Sequence, residues 1–433
     1  MNHVTILSNF GRAYDKYGRS YDKSAIGEST YPDRFFLLED DDLQIGLQKA
    51  TRLLNKTALP GDRLLVMRAE VEDQQLRLNE RTGLGTFLPS GRLRILELRI
   101  VALDGSIGVM SVEEAYAAAL RILNPTLLGY DALRPRSLSV LPVARACQAA
   151  CKFCFSEASA SRTQIGTDID FEAIGTWCRE AQLRGAQRFV ITGGGEPGLV
   201  RHAKLVRLIA LGAAHFPTVV LITNGIHLAR SDEAIRKDKL RDYSDAGLSV
   251  LSISRHHGDA ESNCAVMGVD TKTEKILATL TTFDTLKFRR RLICVLQKGG
   301  VDCETALTSY LDWAVDHDVD EVCFKELYVS TTLESTHYSD ASNVWARDHQ
   351  VTLELVCDLL QRRGFCIRTR LPWGSPIFEG IWSGRSLQVA AYTEPTLFWE
   401  RANGIARSWN VMADSTCLAS LEDPQSFVVP AAP

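Results

Sequence analysis

No apolar run in this 433-residue chain approaches the roughly 20 residues needed to cross a bilayer. The opening stretch "MNHVTILSNFGRAYDKYGRSYDK" has no basic start followed by an apolar core, so it does not read as a secretion signal, and a soluble, cytoplasmic protein is expected. Neither charge sign dominates. Lys and Arg number 49 against 53 Asp and Glu, a net charge of -4 that argues against a nucleic-acid backbone as partner unless a local basic patch exists. Cysteine is too sparse for a disulfide scaffold, and eleven of them cannot all pair within one chain, so a reducing compartment is expected. Heptads, low-complexity tracts and long repeats are missing as well. Hydrophobic residues nevertheless make up 45% of the chain, which allows a large core and one sizeable catalytic unit with additions.

The segments 62–72 ("DRLLVMRAEVE") and 91–105 ("GRLRILELRIVALDG") alternate apolar and polar residues as half-buried strands do. A capping box, Ser111 with Glu114, opens a predicted helix over 111–123. The segment 133–138, "LRPRSL", reads as a joint. Beyond it the pattern changes to strand, helix, strand, helix. Strands are predicted at 137–143, 188–194, 218–225, 248–255, 290–297 and 321–329. A helix capped by Asp170 falls between the first two, with Phe171, Ile174, Cys178 and Ala181 on one face. Six such strands imply an α/β fold with a parallel sheet, short of the eight strands of a closed barrel, with functional groups at the carboxyl ends. After residue 331 come a polar loop, a helix and a tryptophan-rich region (Trp373, Trp382, Trp399, Trp409) with a hairpin predicted at "SWNVMADSTCLASL".

Three cysteines at spacing C-x3-C-x2-C, Cys147, Cys151 and Cys154, follow the first of these strands. A structural zinc site wants four ligands, and no second cysteine pair follows; His202, His215, His256 or His257 would have to supply the fourth. A cubane of four irons and four sulfides takes one ligand per iron, so three thiolates leave one iron open to a substrate or cofactor. The second strand ends in "ITGGGEPGL", where glycines let the backbone approach a ligand. Gly193, Gly195 and Gly198 also spell the G-x-G-x-x-G of dinucleotide sites, but the acidic residue expected about twenty positions on is absent from "PTVVLITNG".

The cysteine spacing and the "GGGEP" turn together resemble the radical S-adenosylmethionine (SAM) superfamily over roughly residues 137–330. The resemblance implies a partial (β/α)6 TIM-like barrel, with an N-terminal α+β accessory domain over 1–132, a core over 133–335 and a C-terminal pocket extension over 336–433. It implies a 4Fe-4S cluster on Cys147, Cys151 and Cys154 whose open iron chelates SAM. Reductive cleavage of SAM would then give a 5′-deoxyadenosyl radical, with a flavodoxin- or ferredoxin-type reductant as partner. On the same grounds Phe153 would pack near the adenine, and Gly193, Gly194, Gly195 and Glu196 would hold the SAM amino group. Asn224 at the third strand end, and Ser252, Ser254 and Arg255 at the fourth, complete the expected cofactor contacts.

The sixth strand sets Lys325, Glu326 and Tyr328 at its carboxyl end, where a substrate-pocket role is expected for charges in an apolar strand. Cys417 is a candidate hydrogen-atom donor against the alternative of a buried structural cysteine. Cys357, Cys366 and Cys417 are too scattered to suggest an auxiliary cluster, which leaves Cys303 or Cys323 to join one only by folding. The expected reaction is hydrogen abstraction from a small-molecule natural-product intermediate or a peptide, leading to epimerisation, rearrangement, elimination or crosslinking. The alternatives are a dedicated peptide maturase and a non-catalytic iron-sulfur electron-transfer or binding protein.

Overall fold

A computed structural model describes residues 128–154, 169–283, 285–328, 341–395, 400–401 and 403–430, together with the nine strands that lie between Asn2 and Gly108. The helix expected over 111–123, Trp399 and the loop after Cys154 lie outside the described residues. Both N-terminal strands read from alternation are present. Arg63–Glu72 and Arg92–Ala102 pair antiparallel at the centre of a five-stranded sheet that also holds Asn2–Ser8, Phe35–Leu38 and Ile107–Gly108.

The main sheet has eleven strands. Its centre is the predicted series: β1 (Ser137–Val140), β2 (Arg188–Ile191), β3 (Thr218–Thr223), β4 (Val250–Ser254), β5 (Arg289–Leu296) and β6 (Glu321–Glu326), each parallel to the next. Helices occupy the crossovers: α1 (Phe171–Leu183), α2 (His202–His215), α3 (Ile226–Ala229), α4 (Glu233–Asp245), α5 (Ala260–Met267), α6 (Thr273–Leu280) and α7 (Glu304–Asp316). Asp170 caps α1 as its side chain type favours, accepting from the amides of Glu172 at 3.1 Å and Ala173 at 2.9 Å.

The C-terminal segment extends this sheet at both edges. On the β6 side lie β7 (Cys366–Arg370), β8 (Pro376–Trp382) and β9 (Arg385–Tyr392), with β9 parallel to β6 and β8 antiparallel to both its neighbours. On the β1 side lie β10 (Trp409–Val411), parallel to β1, and β11 (Cys417–Leu418), which closes the predicted hairpin. Eight parallel strands therefore stand side by side, from β9 through β6 and β1 to β10, and among the described residues the sheet stays open. Arg368 and Arg370 on β7 put charge on one edge, which discourages pairing with a further strand.

Residues alternate strictly between the two faces. Leu138, Phe189, Leu221, Ile253, Leu292, Phe324 and Val389 point to the helices and form the main core, each no more than 1% exposed. Their neighbours in sequence point the other way, and many of them are only half-buried: Val190, Ile222, Ser254, Arg291, Ile293, Cys323, Lys325, Ala390 and Tyr392. The concave face thus lines an accessible lumen rather than a second core. No described helix is long and apolar enough to cross a membrane.

Candidate functional site: the cysteine loop and the lumen

β1 runs directly into the loop that carries the three cysteines. Three contacts fix it against the β2 end and a helix end, and a fourth folds it on itself. The amide of Gly195 donates to the Val143 carbonyl at 3.0 Å and that of Glu196 to the Ala146 carbonyl at 2.8 Å. Further along, the Ala150 amide donates to Met267 at the end of α5 (2.8 Å), and the Cys154 amide turns back to Cys151 (3.1 Å). Glycine is required where the two loops meet. A Cβ on Gly195 would lie 2.3 Å from the Ala146 oxygen, and one on Gly193 would overlap the Gly195 carbonyl at 1.4 Å.

Cys147 and Cys154 are exposed and Cys151 is half-buried. The Cys147 sulfur accepts from the Ala149 amide at 3.4 Å and from Asn224 Nδ2 at 3.7 Å. Burial pushes the Cys151 thiol up to about 12, and the neighbouring Cys154 and Cys147 sulfurs add to the shift; burial raises Cys147 as well. Three soft donors whose charges repel one another are a donor set that a cationic iron-sulfur core would stabilise, because ligation replaces the protons with metal. Among the described residues none of the four histidines is placed as a fourth zinc ligand. His202 bonds Asp242 (2.7 Å), His256 Nδ1 accepts from the Val295 amide (3.0 Å), His257 accepts from the Asp259 amide (3.0 Å) and His215 faces Gln182, while among the described residues no three His, Cys, Asp or Glu gather as ligands of a single ion. The glycines do not open a helix as a dinucleotide site would: a 3-10 turn, Pro197–Leu199, intervenes, and α2 starts only at His202.

The expected cofactor residues divide into two groups. Gly193, Gly194 and Gly195 flank the cysteine loop. Asn224, 5% exposed, reaches that loop from β3, donating to Cys147 and to Gln148 Oε1 (3.2 Å) while its Oδ1 accepts from the Ile226 amide. Phe153 packs edge-on to His256, ring centroids 5.0 Å apart, and against Val295, Leu327 and Ala346, so it anchors the loop on the β5 and β6 ends. Ser254 is half-buried at the end of β4.

The second group is committed to the protein itself. Glu196 is 4% exposed, and its carboxylate accepts from the amides of Gly198 and Asn224, both at 2.8 Å, and from the Thr223 hydroxyl. It bolts the β2 and β3 ends together, and burial raises its pKa despite those bonds. Arg255 is 1% exposed: its guanidinium donates to the carbonyls of His257 (3.0 Å) and Gly258 (2.7 Å), pairs with Glu274 (2.7 Å) and stacks over Trp313. Ser252 is fully buried and accepts from Arg291 Nε at 2.9 Å.

At β6 the alternation separates the substrate-pocket candidates. Lys325 faces the lumen, where its ammonium pairs with Glu394 at 2.6 Å beside the Tyr392 ring, and burial lowers it to about 8. Glu394 also pairs with Arg407 and accepts from the Tyr392 hydroxyl at 3.0 Å. Glu326 lies on the opposite face, and Tyr328 is half-buried, its hydroxyl turned inward in the neighbourhood of Glu422, Arg407 and Glu400. Cys417 is 1% exposed within the helix-facing core, and burial drives its thiol well up, a placement that removes it as a hydrogen donor to anything in the lumen. The cysteine that does line the lumen is Cys323. Sequence reasoning missed Glu394 and Tyr392 as partners of Lys325, because the pairing of β9 with β6 brings them there, and it missed Arg407 as the second cation on Glu394.

Residues 141–305 match the family model described as the Radical SAM superfamily, a segment that holds the cysteine loop, the glycine turn and the ends of β2 to β5. Among solved structures, Streptococcus suis SuiB bound to S-adenosylmethionine is 16% identical with a TM-score of 0.45, covering 73% of this chain and 67% of SuiB. Coproporphyrinogen III oxidase (HemN) from Escherichia coli is also 16% identical, with a TM-score of 0.36 and coverage of 58% and 56%. No curated protein matches the chain. The family match falls on the same residues that the geometry brings together, so residues 141–305 form a radical SAM domain.

Proposed function

We propose that this protein abstracts a hydrogen atom from a small-molecule intermediate or a peptide held in the lumen of its open barrel, using SAM cleaved at the cysteine loop. When bound, the cofactors supply one electron and a 5′-deoxyadenosyl radical; the protein supplies placement and exclusion of water. Cys147, Cys151 and Cys154 would hold the cluster, and the Gly193–Gly195 backbone offers carbonyls to an ammonium group. Asn224 steadies Cys147 and Gln148, and Phe153 closes the loop over His256. A flavodoxin- or ferredoxin-type protein would deliver the electron.

The observation that carries this reading is the placement of the cysteine loop at the carboxyl end of a parallel sheet whose concave face is half-exposed along β2 to β6 and β9. A protein that merely stored a cluster would gain nothing from such a lumen. The test is anaerobic reconstitution with iron and sulfide, followed by SAM and dithionite. The expected product is 5′-deoxyadenosine, lost in Cys151→Ala. Cluster formation without 5′-deoxyadenosine would establish the electron-transfer alternative instead.

A further inference from the structure

Three consecutive rows of side chains climb the lumen wall formed by β5, β6 and β9. The lowest is Arg291, Glu321 and Gln388; the next is Ile293, Cys323 and Ala390; the highest is Val295, Lys325 and Tyr392. The highest row is level with the cysteine loop, because the Val295 amide donates to His256 and Phe153 packs on that ring. Arg291 lies four residues below it along β5, about 13 Å at the rise of a parallel strand.

Arg291 is half-buried and faces the lumen, but no carboxylate pairs with it among the described residues. Glu321, its neighbour in the row, is paired with Arg289. Ser252 Oγ accepts a hydrogen bond from Nε at 2.9 Å, which holds the guanidinium at this level and leaves Nη1 and Nη2 as a two-pronged fork. Burial among the strands lowers the arginine's own pKa, a penalty that a bound anion would relieve; the nearby Cys323 and Glu321 partly offset that lowering, and Arg188 and Arg289 add a little to it. The row above is apolar apart from one thiol. Anything that reached from this fork to the cysteine loop would cross Ile293, Cys323 and Ala390 first.

We propose that Arg291 is the receptor for a carboxylate at one end of an elongated substrate, whose apolar middle lies against Ile293 and Ala390 and whose reacting carbon stands near the level of Lys325. The inference rests on the reading of the lumen as the substrate chamber, and it narrows the substrate to a carboxylate longer than a free amino acid. A two-pronged nitrogen fork matches the two oxygens of a carboxylate.

Calorimetric titration of the reconstituted full-length protein with heptanoate, and with heptanamide as its uncharged counterpart, tests it. Heptanoate should bind, with the amide about tenfold weaker or more, since one charge-assisted contact is lost. Arg291→Gln should bring the two ligands to the same affinity, and Arg291→Lys should restore part of the preference; circular dichroism of both variants checks that they are folded. Equal affinity of the wild type for heptanoate and heptanamide, no binding of heptanoate, or an unchanged preference in folded Arg291→Gln would each overturn the proposal. The titration needs no SAM cleavage. A protein that prefers heptanoate through Arg291 yet forms no 5′-deoxyadenosine would therefore remove the radical reading and leave the carboxylate site standing.

Discussion

Replacing Gly195 with alanine should disconnect the cysteine loop from the sheet without unfolding the protein. The added Cβ would fall 2.3 Å from the Ala146 oxygen, 2.8 Å from the Ala146 nitrogen and 2.8 Å from Val143 Cγ1, so two backbone segments must separate. Separation breaks the Gly195-to-Val143 and Glu196-to-Ala146 hydrogen bonds, each worth about 1 kcal/mol. Overpacking against backbone adds about 1 to 3 kcal/mol, giving roughly 3 to 5 kcal/mol in all. A partly exposed loop can escape that strain by moving, at the cost of the cysteine arrangement; at about 1.4 kcal/mol per tenfold, 3 kcal/mol would leave on the order of one chain in a hundred correctly arranged before iron binds. Iron per chain after reconstitution should fall well below half the wild-type value of about four, and 5′-deoxyadenosine should fall with it, while circular dichroism stays unchanged. Gly175→Ala is the matched control. Its Cβ would meet only Arg179 Nη1 at 3.8 Å inside α1, so it should stabilise the protein by about 0.5 to 1 kcal/mol and leave iron content alone. Full iron loading in Gly195→Ala would refute the claim that the glycine turn holds the loop.

Asn224→Ala should shorten the lifetime of the cluster against a chelator severalfold, since it removes a donor to Cys147 and leaves the Ile226 amide without its partner at a cost of about 1 to 3 kcal/mol. Phe324→Ala, in the fully buried core between β6 and α7, should cost about 3 to 5 kcal/mol in a denaturant titration with no selective effect on iron. Arg255→Met should lower the melting temperature rather than the affinity for SAM, because the guanidinium is bound to His257, Gly258 and Glu274. His256 is buried neutral, lowered by burial from 6.5 to about 3, so the unfolded chain binds more protons between those values. Stability should therefore fall as pH drops from 6.5 towards 3, and His256→Asn, whose Oδ1 can still accept from Val295, should flatten that slope in melting curves taken across the window.

Much of the central sheet could be read before any coordinates, because buried parallel strands are continuous apolar runs and their crossovers show helical spacing and caps. The six strands 137–143 to 321–329 appear in order, each ending a little before its predicted last residue. The ends were over-extended because "LPV" after β1 and "GG" after β2 are apolar or small like the strands themselves, but turn away to build the site. The cysteine triad and glycine turn were legible because their chemistry lies in local spacing. Side-chain commitments were not: Arg255 and Glu196 stand at strand ends as binding groups do, and only the partners that reach them from α6, β3 and the 3-10 turn reveal that they brace the fold. The edge strands were equally hidden, since "RSLQVAAY" gives no sign that it will lie beside β6, nor "WNV" that it will lie beside β1.

That last pairing has a bearing on how the protein is made. Leu138 of β1 finds its neighbour Trp409 on β10, 271 positions later in the chain. At bacterial or eukaryotic synthesis rates of 5 to 20 residues per second, roughly 15 to 50 seconds pass between the two leaving the ribosome. During that interval one side of β1 is a bare row of amides and carbonyls able to pair with another nascent chain, and the exposed side of β6 is in the same position until β9 emerges. Yield of soluble protein should thus depend on translation speed and on chaperones that cover strand edges more than on the thermodynamic stability of the finished fold.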